Sequence, residues 1–188
     1  MKVVPLNRSH LRGAVELHRS SRPWCYRGKN TRRVLHAFYD AYANRDYTVG
    51  TAALEGASVV GVACGTTDVA APAHWLARRR RWRSLYARLT GGADIASGGW
   101  GAAALARASA DTRRPGYLLA AATADALSDD DVGAIFDAFA ASLASRGVSR
   151  VFAPAAAPEE RFLKVGFDLV SSEQIPNGDG FFLYARAL

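Results

Sequence analysis

The most constraining feature of this chain is a single amphipathic stripe set between two short apolar runs. From Ser128 onward, Val132, Ile135, Phe136, Phe139 and Leu143 recur at three- and four-residue spacing, which puts all five on one face of a helix. Gly147 suits the C-cap of that helix. The flanking runs, Tyr117 to Thr123 and Val148 to Ala153, are short and apolar and read as strands. A helix of this kind buries its stripe only by lying on a sheet.

The remaining segments extend the same pattern. Lys2 to Leu6 reads as a strand, and Ser9 is placed to cap a helix from His10 to about Ser20, with Leu11, Ala14, Val15 and His18 on one face. Residues 21–29 are loop-like, and Thr31 opens a second helix carrying Val34, Leu35, Phe38 and Tyr42. Tyr47 to Leu54 and Ala57 to Thr66 form two strands around a Glu55-Gly56 turn. Beyond the central unit come a helix from Pro158 to Val165 stopped by Gly166, a strand from Phe167 to Val170, a polar loop from Ser171 to Gly180, and a last strand from Phe181 to Ala185. The order β-α-α-β-β-insertion-β-α-β-α-β-β predicts an α/β fold, a mixed sheet with helices on both faces. All 188 residues form one domain.

The insertion, residues 68–115, lies between the third and fourth strands and departs from the strand pattern. Trp75, Trp82, Tyr86 and Leu89 share one helical face, a Gly-rich stretch covers residues 90–101, and Ala102 to Ala110 suits a short helix. Charge concentrates here. The chain carries +7, with three lysines among its 24 basic residues and arginine for the rest. Six arginines fall between Trp75 and Leu89 with no acid among them, and without those six the net charge is +1. One local patch on a nearly neutral protein attracts an anionic partner.

Several classes are excluded. A hydrophobic content of 49% is too high for a disordered chain, and the longest near-apolar run, Tyr117 to Ala124, is far below the ~18 residues of a membrane span. The start lacks the apolar core of a secretory signal, so a cytoplasmic protein is expected. Cys25 and Cys64 are too few for a disulfide framework, and they form no metal-ligand spacing with His10, His18, His36 or His74, so no metal is expected.

Three stretches carry a resemblance. Arg27-Gly28 through Phe38-Tyr39, Ala57-Ser58-Val59-Val60-Gly61-Val62-Ala63, and Arg161-Phe162-Leu163-Lys164-Val165-Gly166-Phe167 resemble, in this order, segments of the GNAT superfamily of N-acetyltransferases. The likeness spans the chain apart from the insertion. It implies a mostly antiparallel sheet and transfer of an acyl group from a thioester to an amine of a small molecule or peptide. It also implies two splayed central strands that grip the donor's phosphopantetheine arm. By position, Leu119, Ala121 and Ala122 lie on the pantetheine strand, with a backbone N–H near Ala121 or Ala122 stabilising the oxyanion. The donor turn spans Leu127 to Gly133 and includes Ser128, Val132 and Gly133.

The departures from the family pattern carry their own expectations. The family turn, Gln/Arg-x-x-Gly-x-Gly/Ala, holds a pyrophosphate on backbone amides at a helix N-terminus. Here it reads Leu-Ser-Asp-Asp-Asp-Val-Gly, with no basic residue and Ser128 and Asp131 placed as a capping box. Three carboxylates repel a diphosphate by about 1 kcal/mol each even at water-like dielectric. The family's proton-donating tyrosine falls at Phe162, which has no proton to give. Tyr117, Thr123 and Asp125 are the polar candidates for catalysis, and Tyr26 and His36 for framing the acceptor pocket. Cys64 reads as a small apolar core residue.

One cause accounts for both a lost anion turn and a gained cationic helix: an acidic acyl carrier protein as donor, docking on Arg78, Arg79, Arg80, Arg81 and Arg83. Acyl-homoserine-lactone synthases and N-acyl amino acid synthases, similar in fold, imply that the architecture tolerates such donors. Plainer readings stand beside it: the aspartates as a good helix start, the arginines as a solvated face. Nucleic acid is the weaker anionic partner, because the rest of the chain is near neutral and carries no nucleic-acid motif. The alternative to an enzyme is a non-catalytic binding or scaffold module of the same fold.

Overall fold

The computed structural model describes residues 1–21, 31–43, 46–68, 107–155, 158–174 and 180–188. Its elements are β1 (Lys2–Pro5), a 3-10 turn (Arg8–His10), α1 (Leu11–Ser21), α2 (Thr31–Ala43), β2 (Thr48–Glu55), β3 (Ser58–Thr66) and β4 (Pro115–Thr123). These are followed by α3 (Asp129–Ala144), β5 (Arg150–Ala155), α4 (Glu160–Lys164), β6 (Asp168–Gln174) and β7 (Gly180–Ala187). The seven strands form one sheet in the order β1-β2-β3-β4-β5-β7-β6. β4 and β5 run parallel, and the other neighbours are antiparallel.

Strand alternation divides the core between the two faces. Val62 and Cys64 of β3 join Ala120 and Ala122 of β4 under α1 and α2, where Leu11, Val15, Leu35, Phe38 and Tyr42 are buried. Ala63 and Leu118 face the other way, under the Val132, Ile135, Phe136, Phe139 and Leu143 stripe of α3. Inside the first layer, His18 Nδ1 lies 2.5 Å from the Tyr39 hydroxyl and joins α1 to α2. On the α3 side the approach is so close that β3 needs glycine. A Cβ on Gly61 would sit 2.3 Å from Ile135 Cδ1, and one on Gly65 would sit 2.1 Å from the Tyr117 carbonyl oxygen.

The expected architecture is present, with local corrections. Asn7, not Ser9, caps the first helical turn: its Oδ1 accepts from the Ser9 N–H at 2.9 Å. The strand expected at Phe167 to Val170 runs on through Gln174, across residues that read as a polar loop. As an edge strand, β6 pairs its backbone with β7 alone, so polar side chains such as Ser171 and Ser172 are tolerated. The helix expected from Pro158 to Val165 is only the five residues of α4. Residues 107–109 are helical and 110–114 lead by turn and bend into β4, whereas residues 69–106 of the insertion lie outside the described residues.

Candidate functional site

A β-bulge opens the centre of the sheet. Along β3 the partner on β4 jumps from Ala120 opposite Cys64 to Leu118 opposite Gly65, leaving Leu119 as the extra residue. A bulge bends its strand and increases the local twist. β4 and β5 accordingly pair only at Pro115 with Arg150, Gly116 with Val151 and Tyr117 with Phe152. Beyond that point β5 continues against β7 as far as Ala155, while β4 continues against β3 to Thr123. The parting of the paired edges is the candidate cleft, with small residues along it, Ala121 on β4 and Ala153 and Ala155 on β5. Strand edges that diverge in this way present N–H and C=O groups to an extended, amide-bearing ligand.

The mouth of the cleft is the connection from β4 to α3. Ser128 is the N-cap of α3, and its Oγ accepts from the Asp131 N–H at 3.1 Å. The expected capping box is half formed, because the Asp131 carboxylate accepts from Ser128 Oγ at 2.8 Å instead of from the Ser128 backbone. Two cations reach this connection from α4. Arg161 Nη1 donates to Thr123 Oγ1 at 2.7 Å, and Lys164 Nζ pairs with Asp129 Oδ2 at 2.9 Å. The hydrogen bond to Asp129 raises the Lys164 pKa and keeps that ammonium charged. The basic group missing from the turn in sequence is therefore present at the turn in space. The isolated trio of carboxylates expected there is partly neutralised.

The predicted catalytic side chains do not converge. Tyr117 and Thr123 sit six residues apart on one strand, roughly 20 Å at about 3.3 Å per residue, and Asp125 lies further on, exposed. Tyr117 is 8% exposed, packs against Phe152 on the α1–α2 face and donates to Ser109 Oγ at 3.3 Å. Thr123 is buried and its oxygen holds Arg161. Phe162 lies on the opposite face from Tyr117, among Phe136, Phe167 and Tyr184. Tyr117 therefore does not occupy the place of the missing phenol.

Among the donor-side residues, Leu119 is the bulge residue and Ala121 and Ala122 follow it. Val132 is buried in the α3 core, and a Cβ on Gly133 would meet nothing within 4 Å, so no close approach demands a glycine there. His36 is on the exposed face of α2. Tyr26 and the patch Arg78, Arg79, Arg80, Arg81 and Arg83 lie outside the described residues. Cys64 is fully buried and its thiol pKa is pushed up by that burial, as befits a core residue. Among the described residues no cluster of three metal-ligating side chains occurs, and no helix is long and apolar enough to cross a membrane.

Three residues at this site escape a reading of the sequence: Arg161, Lys164 and Tyr184. Arg161 meets a partner 38 positions away, and Lys164 one 35 positions away. Tyr184 comes from β7 to stand beside Phe162, ring centroids 5.2 Å apart, its hydroxyl accepting from the Glu159 N–H at 2.9 Å. The available signal was the place of Arg161 and Lys164 in the stretch from Arg161 to Phe167 already singled out.

No known family profile and no curated protein matches the sequence. Solved structures do. An aminoglycoside 6'-acetyltransferase type Ii is 13% identical with a TM-score of 0.64, over 100% of this chain and 97% of that one. FeeM, an N-acyl amino acid synthase from uncultured soil microbes, is 10% identical with a TM-score of 0.61, over 100% and 95%. An aminoglycoside 6'-N-acetyltransferase complexed with coenzyme A is 11% identical with a TM-score of 0.61, over 100% and 97%. Over its full length the chain therefore shares the GNAT fold of these solved structures.

Proposed function

We propose that this protein is an N-acyltransferase that moves an acyl group from a phosphopantetheine thioester to an amine of a small molecule or peptide. The cleft between β4 and β5 carries the reading. Its diverging edges begin beside Tyr117 and end at a mouth lined by Arg161, which suits a donor arm lying along β4 with its anionic end at α3. Leu119, Ala121 and Ala122 flank the arm, and a backbone N–H after the bulge stabilises the oxyanion formed when the amine nitrogen attacks the thioester carbon. The carbon–sulfur bond then breaks, the sulfur leaves as thiolate and takes a proton, and the amine loses one. Phe162 cannot supply the thiolate's proton, and the Tyr184 hydroxyl beside it is the candidate donor.

Coenzyme A is the favoured carrier of the thioester. Arg161 and Lys164 supply positive charge at the turn whose aspartates otherwise argue against a diphosphate. A solved structure similar in fold is complexed with coenzyme A. The aspartates Asp129, Asp130 and Asp131 favour the second reading, an acyl carrier protein docked on Arg78, Arg79, Arg80, Arg81 and Arg83. Incubating the protein with acetyl- and longer acyl-CoA, or with acylated carrier protein, beside a panel of amines separates the readings by product mass. An N-acyl product from the CoA thioester is expected. Product only from the carrier thioester transfers the donor assignment, and no product from either leaves a non-catalytic module of this fold.

A further inference from the structure

Three arginines converge on an open cavity at the end of the sheet away from the donor mouth. The cavity has a volume of about 630 Å3 and is lined by Asp46, Thr67, Arg113, Arg114, Arg146 and Val148, together with Pro115. Arg113 and Arg114 precede β4, and Arg146 follows α3, whose 16 residues span about 24 Å from the Ser128 end. The cavity is thus separate from the β4–β5 cleft.

The scaffold holds Arg114 and Arg146 in place. Arg114 accepts the Ser149 N–H on its carbonyl at 3.3 Å, and its Nη1 lies 2.8 Å from where a Cβ on Gly147 would stand. Gly147 has φ +78°, so it both ends α3 and leaves the guanidinium its space. Arg146 Nη1 donates to the Asp46 backbone carbonyl. Among the described residues, none of the three guanidiniums lies within ion-pair distance of a carboxylate, whereas Arg32, Arg186 and Lys164 each have one. With Asp46 the one acid in the lining, three arginines leave the cavity a formal charge of +2. Like charges around one space repel until an anion bridges them.

We infer that this cavity is a second ligand site, one that takes a phosphate-bearing small molecule. Planar guanidinium forks match phosphate oxygens two at a time, and the volume falls within the roughly 300–1,000 Å3 of small-ligand pockets. The inference does not depend on the acyltransferase reading.

Calorimetric titration of the full chain with inorganic pyrophosphate, at ionic strength matched with chloride, tests it. Saturable binding is expected, with affinity lowered about tenfold or more in the Arg113→Gln/Arg114→Gln double variant. The charge-matched Arg12→Gln/Arg33→Gln variant should bind within about twofold of the parent, and Arg161→Met reports separately any pyrophosphate held at the donor mouth. Absence of saturable binding, equal loss in the charge-matched control, or loss confined to Arg161→Met overturns the site.

Discussion

In the proposed function, donor recognition turns on Arg161. Its Nη1 reaches the Thr123 hydroxyl at the end of β4, a neutral partner that leaves the cation available to an incoming anion. Converting Arg161 to Met keeps much of the side-chain length and removes the charge. We expect KM for an acyl-CoA to rise about tenfold with kcat within about twofold, because the contact is made alike in ground and transition states. Steady-state kinetics with acetyl-CoA and with a truncated pantetheine thioester checks this. The truncated donor, lacking phosphates, should be insensitive to the substitution. An equal loss with both donors assigns Arg161 to the fold instead.

At the scale of elements, α1 and α2 are joined by more than apolar packing. Arg32 Nη2 and Nε both donate to Glu16 Oε1 across the two helices, and Arg19 adds a second pair to Glu16 at 3.2 Å. The Arg32 hydrogen bond holds the Glu16 pKa below its ordinary 4.5, against a smaller opposing effect of desolvation. A carboxylate depressed in the folded state stabilises above its unfolded pKa, and that contribution is lost as pH falls through the folded value. Both partners are substantially exposed, so the contribution is below about 1 kcal/mol. Glu16→Gln should lower Tm slightly at pH 7, and the gap to the parent should close as pH falls below the ordinary 4.5 and through the lowered folded value. Thermal scans across that range decide it; a gap constant with pH shows that the pair contributes by shape rather than charge.

Two apolar layers on one seven-stranded sheet set the behaviour of the whole molecule. Phe38 lies in one layer and Phe139 in the other, both 1% exposed, and β3 and β4 contribute alternate residues to each. A cavity opened in either layer is therefore felt by both. Phe139→Ala should cost about 3–5 kcal/mol. In denaturant, its unfolding should remain one transition with an unchanged slope. A biphasic curve followed by far-UV circular dichroism shows instead that the layers unfold separately.

The sequence by itself determined the elements that rest on local chemistry. The α3 stripe, the Gly56 and Gly147 turns, the Ser128 cap and the strand–helix order are each written in a window of a few residues, and they appear as read. Where a strand's identity rests on its partner, the local reading stopped short: the second half of β6, Ser171 to Gln174, read as a loop because that stretch of an edge strand has no apolar alternation to display. Tertiary structure alone decided the bulge at Leu119, which depends on the register against β3, and the parting of β4 from β5 that follows from it. It also decided which charges meet. Arg161 with Thr123, and Lys164 with Asp129, are joined by the path of α4 over the sheet, and no spacing along the chain encodes that path.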